Sequence, residues 1–148
     1  MKGREQKPGF VSEAEVKMVG PGYDDSHYIT VPIKSFYDIE DLGHWGVCHM
    51  EPNQESCVFS LEEEDDGTAL HYYGPADEFY YILEGEFTLW WGKDAANLDN
   101  FFNLKKGDCT YFPTGYKYQV KNSGSLPGKF FFYMTTPEGV QRRLEKRS

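Results

Sequence analysis

The stretch HYYGPADEFYYILEGEFTLWWG, residues 71–92, holds two runs rich in aromatic and aliphatic side chains, Glu78–Leu83 and Glu86–Trp91. Only Gly85 separates Glu84 from Glu86, so the runs read as two strands joined by a tight turn. GPAD at 74–77 is a second turn, which joins them to an earlier run at Ala69–Tyr73. Working outward, the same punctuation recurs. SCVFSL at 56–61, Cys109–Phe112, Tyr116–Lys121 and Lys129–Thr135 read as strands, with turn signals at KKGD 105–108, PTG 113–115 and NSGSLPG 122–128. Many short strands so divided predict an all-β sandwich or barrel.

The ends are less regular. Residues 1–27 mix charge with Gly and Pro and read as a flexible arm, followed by the barrel over 28–135. YITVPI at 28–33 is β-rich, with Pro32 suited to a sheet edge. Residues 35–56 read as a loop with a short strand near Trp45–Met50, and the acidic run 62–66 as a solvated turn. A short C-terminal helix is expected over 136–148, where Thr136 can cap, Pro137 suits the first helical position and Arg142, Arg143, Lys146 and Arg147 suit the negative end.

Eleven Tyr, eleven Phe and three Trp in 148 residues supply the core of one domain. Fifteen basic against 24 acidic residues argue against a nucleic-acid surface, which needs clustered cations. No apolar run is long enough to span a membrane, and no apolar segment follows the basic N-terminus as in a secretory signal. Cys48, Cys57 and Cys109 form neither a redox pair nor a zinc set, which suggests a reducing cytoplasm.

The chemistry centres on His71, Tyr73, Glu78 and Tyr118. Residues two apart share a strand face, so His71 and Tyr73 point together, and Glu78 and Tyr118 arrive from neighbouring strands. Imidazole, carboxylate and phenol inside a barrel need partners or a metal. At these residues the sequence resembles the cupin family. Its first motif, G-x5-H-x-H-x3,4-E-x6-G, is met by His71, Glu78 and Gly85, with Tyr73 at the second histidine and Asp65 in place of the opening glycine. Its second, G-x5-P-x-G-x2-H-x3-N, is met by Gly107, Pro113, Gly115 and Asn122, with Tyr118 at the histidine.

The resemblance implies a double-stranded β-helix, or jelly roll, with a metal site inside it. Three readings stay open. In the first, His71 and Glu78, with Tyr118 or Tyr73 as phenolate, hold one metal ion, iron before zinc or manganese, and polarise an oxygen of a small organic substrate. That makes a dioxygenase, lyase, isomerase or cyclase, with Tyr73, Tyr118 and Glu78 as its catalytic groups. In the second, no metal is kept and the same residues do acid/base work as an isomerase or epimerase. In the third, the barrel only binds a ligand.

Tyr80, Phe87, Trp91 and Tyr116 are candidate pocket walls, suited to an aromatic, polyketide-like or short acyl compound. His44, His49 and Cys48 read as surface or packing residues, with covering the barrel mouth or completing a depleted site as the other role. Phe130–Tyr133 form a continuous apolar strand that must be covered on both faces, by the N-terminal arm or a second subunit. Cupins commonly pair through such sheets, so a homodimer is expected.

Overall fold

The Glu78–Gly92 stretch carries two strands that turn at Gly85 and pass from one sheet to the other. Gly85 makes its turn at φ +86°, and a Cβ there would stand 2.8 Å from the Cα of Gly128, so both conformation and space call for glycine. The computed structural model describes residues 7–24, 27–39, 42–62, 71–72 and 76–135. The strands are β1 (Gly22–Asp24), β2 (His27–Ile29), β3 (Ile33–Ile39), β4 (Gly43–Met50), β5 (Phe59–Ser60), β6 (His71–Tyr72), β7 (Glu78–Glu84), β8 (Glu86–Gly92), β9 (Asn100–Lys105), β10 (Lys117–Asn122) and β11 (Gly128–Met134). One sheet runs β6-β5-β10-β8-β9, a second β3-β4-β11-β7, and β1 pairs with β2. All pairings are antiparallel except β5 with β6.

Alternation decides what lies between the sheets. Tyr80 and Ile82 on β7, Phe130 and Phe132 on β11, and Cys48 and Met50 on β4 face Phe87 and Leu89 on β8 and Tyr118 and Val120 on β10. The rings run in contact through this core, with centroids of Phe59 and Tyr118 5.9 Å apart, Tyr118 and Phe112 4.9 Å, Phe112 and Tyr80 4.6 Å, Tyr80 and Phe130 4.1 Å, and Phe130 and Phe87 5.2 Å. Each such ring stabilises by about 1.5–3 kcal/mol through burial alone.

The structure corrects several sequence-based boundaries. The segment 35–56, read as a loop with a short strand near Trp45–Met50, carries most of β3, and that short strand is the larger part of β4 (Gly43–Met50). Residues 100–105, assigned to no strand, form β9. Cys109–Phe112 makes only isolated bridges, Tyr81 with Cys109 and Glu78 with Phe112. The segment 28–33 divides into β2 and the start of β3, and β3 is a sheet edge as Pro32 suggested. The expected helix over 136–148 lies outside the described residues.

The N-terminal segment lies along the outer face of the second sheet. Val19 pairs with Ile33, and a 3-10 turn at Glu13–Glu15 brings the Glu13 carboxylate to the Lys129 ammonium at 2.7 and 2.9 Å. Val47 alternates with inward Cys48, and yet it is only 3% exposed. Beyond it the outer face carries a ladder of rings, Tyr37 on Trp45 at 5.3 Å, Trp45 on Tyr133 at 5.7 Å and Tyr133 on Phe79 at 5.7 Å.

Asn122 closes the structure at the end of β10. Fully buried, it donates to the carbonyls of Met50 at 2.8 Å and Leu126 at 3.0 Å, and its Oδ1 accepts from the Gly124 N–H at 2.9 Å. Asn122→Ala is expected to lower unfolding free energy by about 2–3 kcal/mol, because it leaves buried main-chain groups unpaired. Urea denaturation at fixed pH measures the loss.

Candidate functional site

Glu78 opens β7 on the inner face. Its N–H donates to the Phe112 carbonyl at 3.0 Å and its carbonyl accepts from Phe112 N–H at 2.7 Å. Next to it, Asp77 N–H donates to the Thr135 hydroxyl at 2.9 Å, so the backbone on either side is fixed. The side chain is 9% exposed and forms no hydrogen bond or ion pair with a described residue. Burial pushes its carboxyl up to about 8, with no cation to offset the desolvation. Its charge in turn raises the nearby Cys48 thiol and Tyr118 phenol, beyond the larger effect of their own burial.

Tyr118 stands on β10 with its ring against Phe59 and Phe112. Its hydroxyl donates to the Pro113 carbonyl at 2.6 Å, which ties two residues of the second motif together. Burial first, and then Glu78, pushes the phenol well above the ordinary tyrosine range. A phenolate has no proton for that bond, so coordination through Tyr118 would require the bond to break. Tyr118 is therefore placed as a neutral, oriented phenol whose oxygen can still accept a hydrogen bond.

The backbone register puts His71 level with Phe59, Phe59 with Tyr118, and Tyr118 with Trp91, so His71 and Tyr118 share one row of the first sheet. The His71 side chain and all of Tyr73 lie outside the described residues. On the second sheet the matching row runs His44, Met134, Glu78. His44 shares a face of β4 with Cys48 and Met50, both in the core. Its Nε2 is 2.8 Å from Ser35 Oγ and its ring meets Phe132 edge-on at 5.1 Å.

The sequence reading named His44 as one of three residues that could complete the site, but placed it first as a surface or packing residue. Alternation over His44, Gly46, Cys48 and Met50 was the available signal. His49, one register over, points outward to Glu13 at 3.6 Å, and burial followed by the Lys129 charge lowers its pKa.

The four expected pocket residues separate into two groups. Tyr80 and Phe87 are core, locked in the ring series above. Trp91 and Tyr116 sit at its margin, edge-to-face at 5.5 Å, with Trp91 stacked on Phe102 at 5.7 Å and the Lys93 ammonium 5.0 Å from the Tyr116 centroid.

Among the described residues, no three His, Cys, Asp or Glu side chains gather to hold a metal ion. The donor chemistry fits a cation at Glu78, a buried carboxylate without a compensating partner, and does not fit one at the Tyr118 hydroxyl, which is already donating. The same residues describe no helix long and apolar enough to cross a membrane.

Residues 57–134, just over half of the chain, match the cupin domain. Among known proteins, the uncharacterized protein MJ1618 of Methanocaldococcus jannaschii is 38% identical over 63 residues, covering 42% of this chain and 45% of that one. The chain thus spans under half the length of this relative. The cupin domain of Schizosaccharomyces pombe Cnp3 superposes with TM-score 0.61 at 18% identity, covering 90% of this chain and 78% of its own. A predicted oxalate decarboxylase from Thermotoga maritima gives 0.62 at 15%, covering 85% and 97%. Drosophila melanogaster CENP-C bound to CAL1 gives 0.57 at 12%, covering 82% and 81%. At these identities the likeness is one of fold, and the fold serves proteins of different kinds.

Glu78 makes stability depend on pH. An unfolded chain loses this proton near 4.5, whereas the folded protein keeps it until about 8. Between those values the native state binds more protons, so stability falls as pH rises through this window and levels off above it. Glu78→Gln should match the parent near pH 4 and exceed it by roughly 5 kcal/mol at pH 9, as read from urea denaturation across pH.

Proposed function

The chain belongs to the cupin family, and we propose that it is a small-molecule enzyme whose reaction centre is Glu78, with a metal ion held by Glu78 and His71. The observation that carries this reading is a largely buried carboxylate with no partner among the described residues. A bound cation would offset that desolvation and return the carboxyl to its ionised form. When bound, the metal supplies a Lewis acid for a substrate carbonyl, carboxylate or enolate oxygen, with iron, zinc and manganese the candidate ions. Tyr118, oriented by Pro113, presents a phenol oxygen that accepts a hydrogen bond from substrate. Phe59 and Phe112 flank that phenol and exclude water. Trp91 and Tyr116 at the margin favour a flat aromatic, polyketide-like or short acyl compound. Three free thiols suit a reducing, cytoplasmic setting.

A second reading rests on a different feature of the same group. With its carboxyl raised to about 8, Glu78 holds a proton at neutral pH and serves as general acid without any metal, with His44 across the same row as a second polar group.

Calorimetric titration of chelator-treated protein with Mn2+, Zn2+ and anaerobic Fe2+ separates the two. The metal reading expects binding that Glu78→Gln and His71→Ala each weaken by at least about a hundredfold, with Tyr118→Phe binding like the parent. No binding of any of the three ions overturns it. The acid reading then requires turnover of an aryl or acyl substrate that declines above about pH 8 in the parent and is absent in Glu78→Gln.

A further inference from the structure

We propose that two copies of this chain pair through β9, antiparallel about a twofold axis at Phe102. β9 is the last strand of the five-stranded sheet. Between Asn100 and Leu104 its outer edge forms no backbone hydrogen bond with another described residue. Native proteins protect such edges with charge, proline, bulges or a covering segment. Here NFFNL carries no charge and no proline, and Phe101 is 58% exposed and Phe102 46%. Beside the edge lies a groove of about 650 Å3 that includes Leu104, Cys109 and Tyr111, the last 67% exposed.

The outer face of β11, where the sequence suggested pairing, is the weaker candidate. The N-terminal segment is anchored across it by Glu13 on Lys129, and Trp45, Tyr133 and Phe79 are stacked on each other there.

Charge selects a second copy as the occupant. Asp99 and Lys105 lie three residues to either side of Phe102, both exposed. Antiparallel pairing about Phe102 sets Asp99 opposite the partner's Lys105 and repeats that pair at the other end, with Asn100 opposite the partner's Leu104 and Phe102 against its own copy. A slip of one residue in one direction loses both charge pairs, in the other it sets Asp99 opposite the partner's Lys106, and either way it turns the rings to the other face. Lys105 forms no ion pair with a described residue of its own chain, so its ammonium is available.

Sedimentation equilibrium of the full chain up to about 100 µM tests this pairing. The expected result is a dimer that Asp99→Lys weakens about tenfold or more, through two reversed charge pairs, and that Phe102→Lys abolishes. Lys105→Asp alone should act like Asp99→Lys, and the two together should restore the parent dissociation constant. Circular dichroism of each variant should match the parent, since all three side chains are exposed. A monomer throughout the range overturns the proposal, as does a dimer indifferent to Asp99→Lys and Phe102→Lys, or a double variant no tighter than Asp99→Lys alone.

Discussion

The structure turns on keeping one carboxyl group dry. Glu78 lies at the start of a strand whose next inward residues, Tyr80 and Ile82, are core, and its backbone is held by Phe112. Its burial without a described partner opposes folding whenever the group is ionised. The interior that imposes this is aromatic, because Phe112 alone joins the rings of Tyr80 and Tyr118. Ring packing worth a few kcal/mol per side chain can offset one misplaced polar group. The same packing leaves Glu78 poised for whatever supplies a cation or takes a proton.

β7 and β8 were legible because their residues combine three agreeing signals: period-two burial, β-favouring side chains and, between them, a glycine where φ is positive. β4 was legible only in part. Glycine at 43 and 46 and polar residues on both faces dilute its alternation, and Gly46 is needed because the Lys34 backbone passes within 2.1 Å of where a Cβ would be. Because the strand was read only from Trp45, His44 had no assigned face. β9 escaped for another reason: Phe101, Phe102 and the asparagines are exposed on both sides, so no burial contrast marks it. Tyr80 and Phe87 show the limit of composition, since an inward ring reads alike whether it lines a hollow or fills one.

The outer surface follows the same logic at lower cost. Glu13 sits between Lys129, Lys34 and His49, and its hydrogen bonds to Lys129, ahead of the neighbouring charges, draw its carboxyl below the ordinary range. That cluster anchors a segment whose composition suggested a free arm, and it lies against a face with Lys34 and Lys129 where apolar strands would otherwise meet solvent. Among the described residues the β9 edge has no equivalent cover, so these residues protect the two sheets unequally.

Motif positions divide by what they do. Gly85, Gly107 and Gly115 have φ of +86°, +93° and +100°, and Asn122 makes three buried hydrogen bonds, so these residues specify turns and closure. Tyr118, at a position where the family motif has histidine, is instead a buried phenol of the core. A side chain there is constrained only by the space between Phe59 and Phe112 and by the Pro113 carbonyl, and a phenol satisfies both. The turn-forming positions therefore identify the fold whatever occupies the ligand positions. It is the chemistry around Glu78, and not the motif as a whole, that distinguishes a metal centre from an acid.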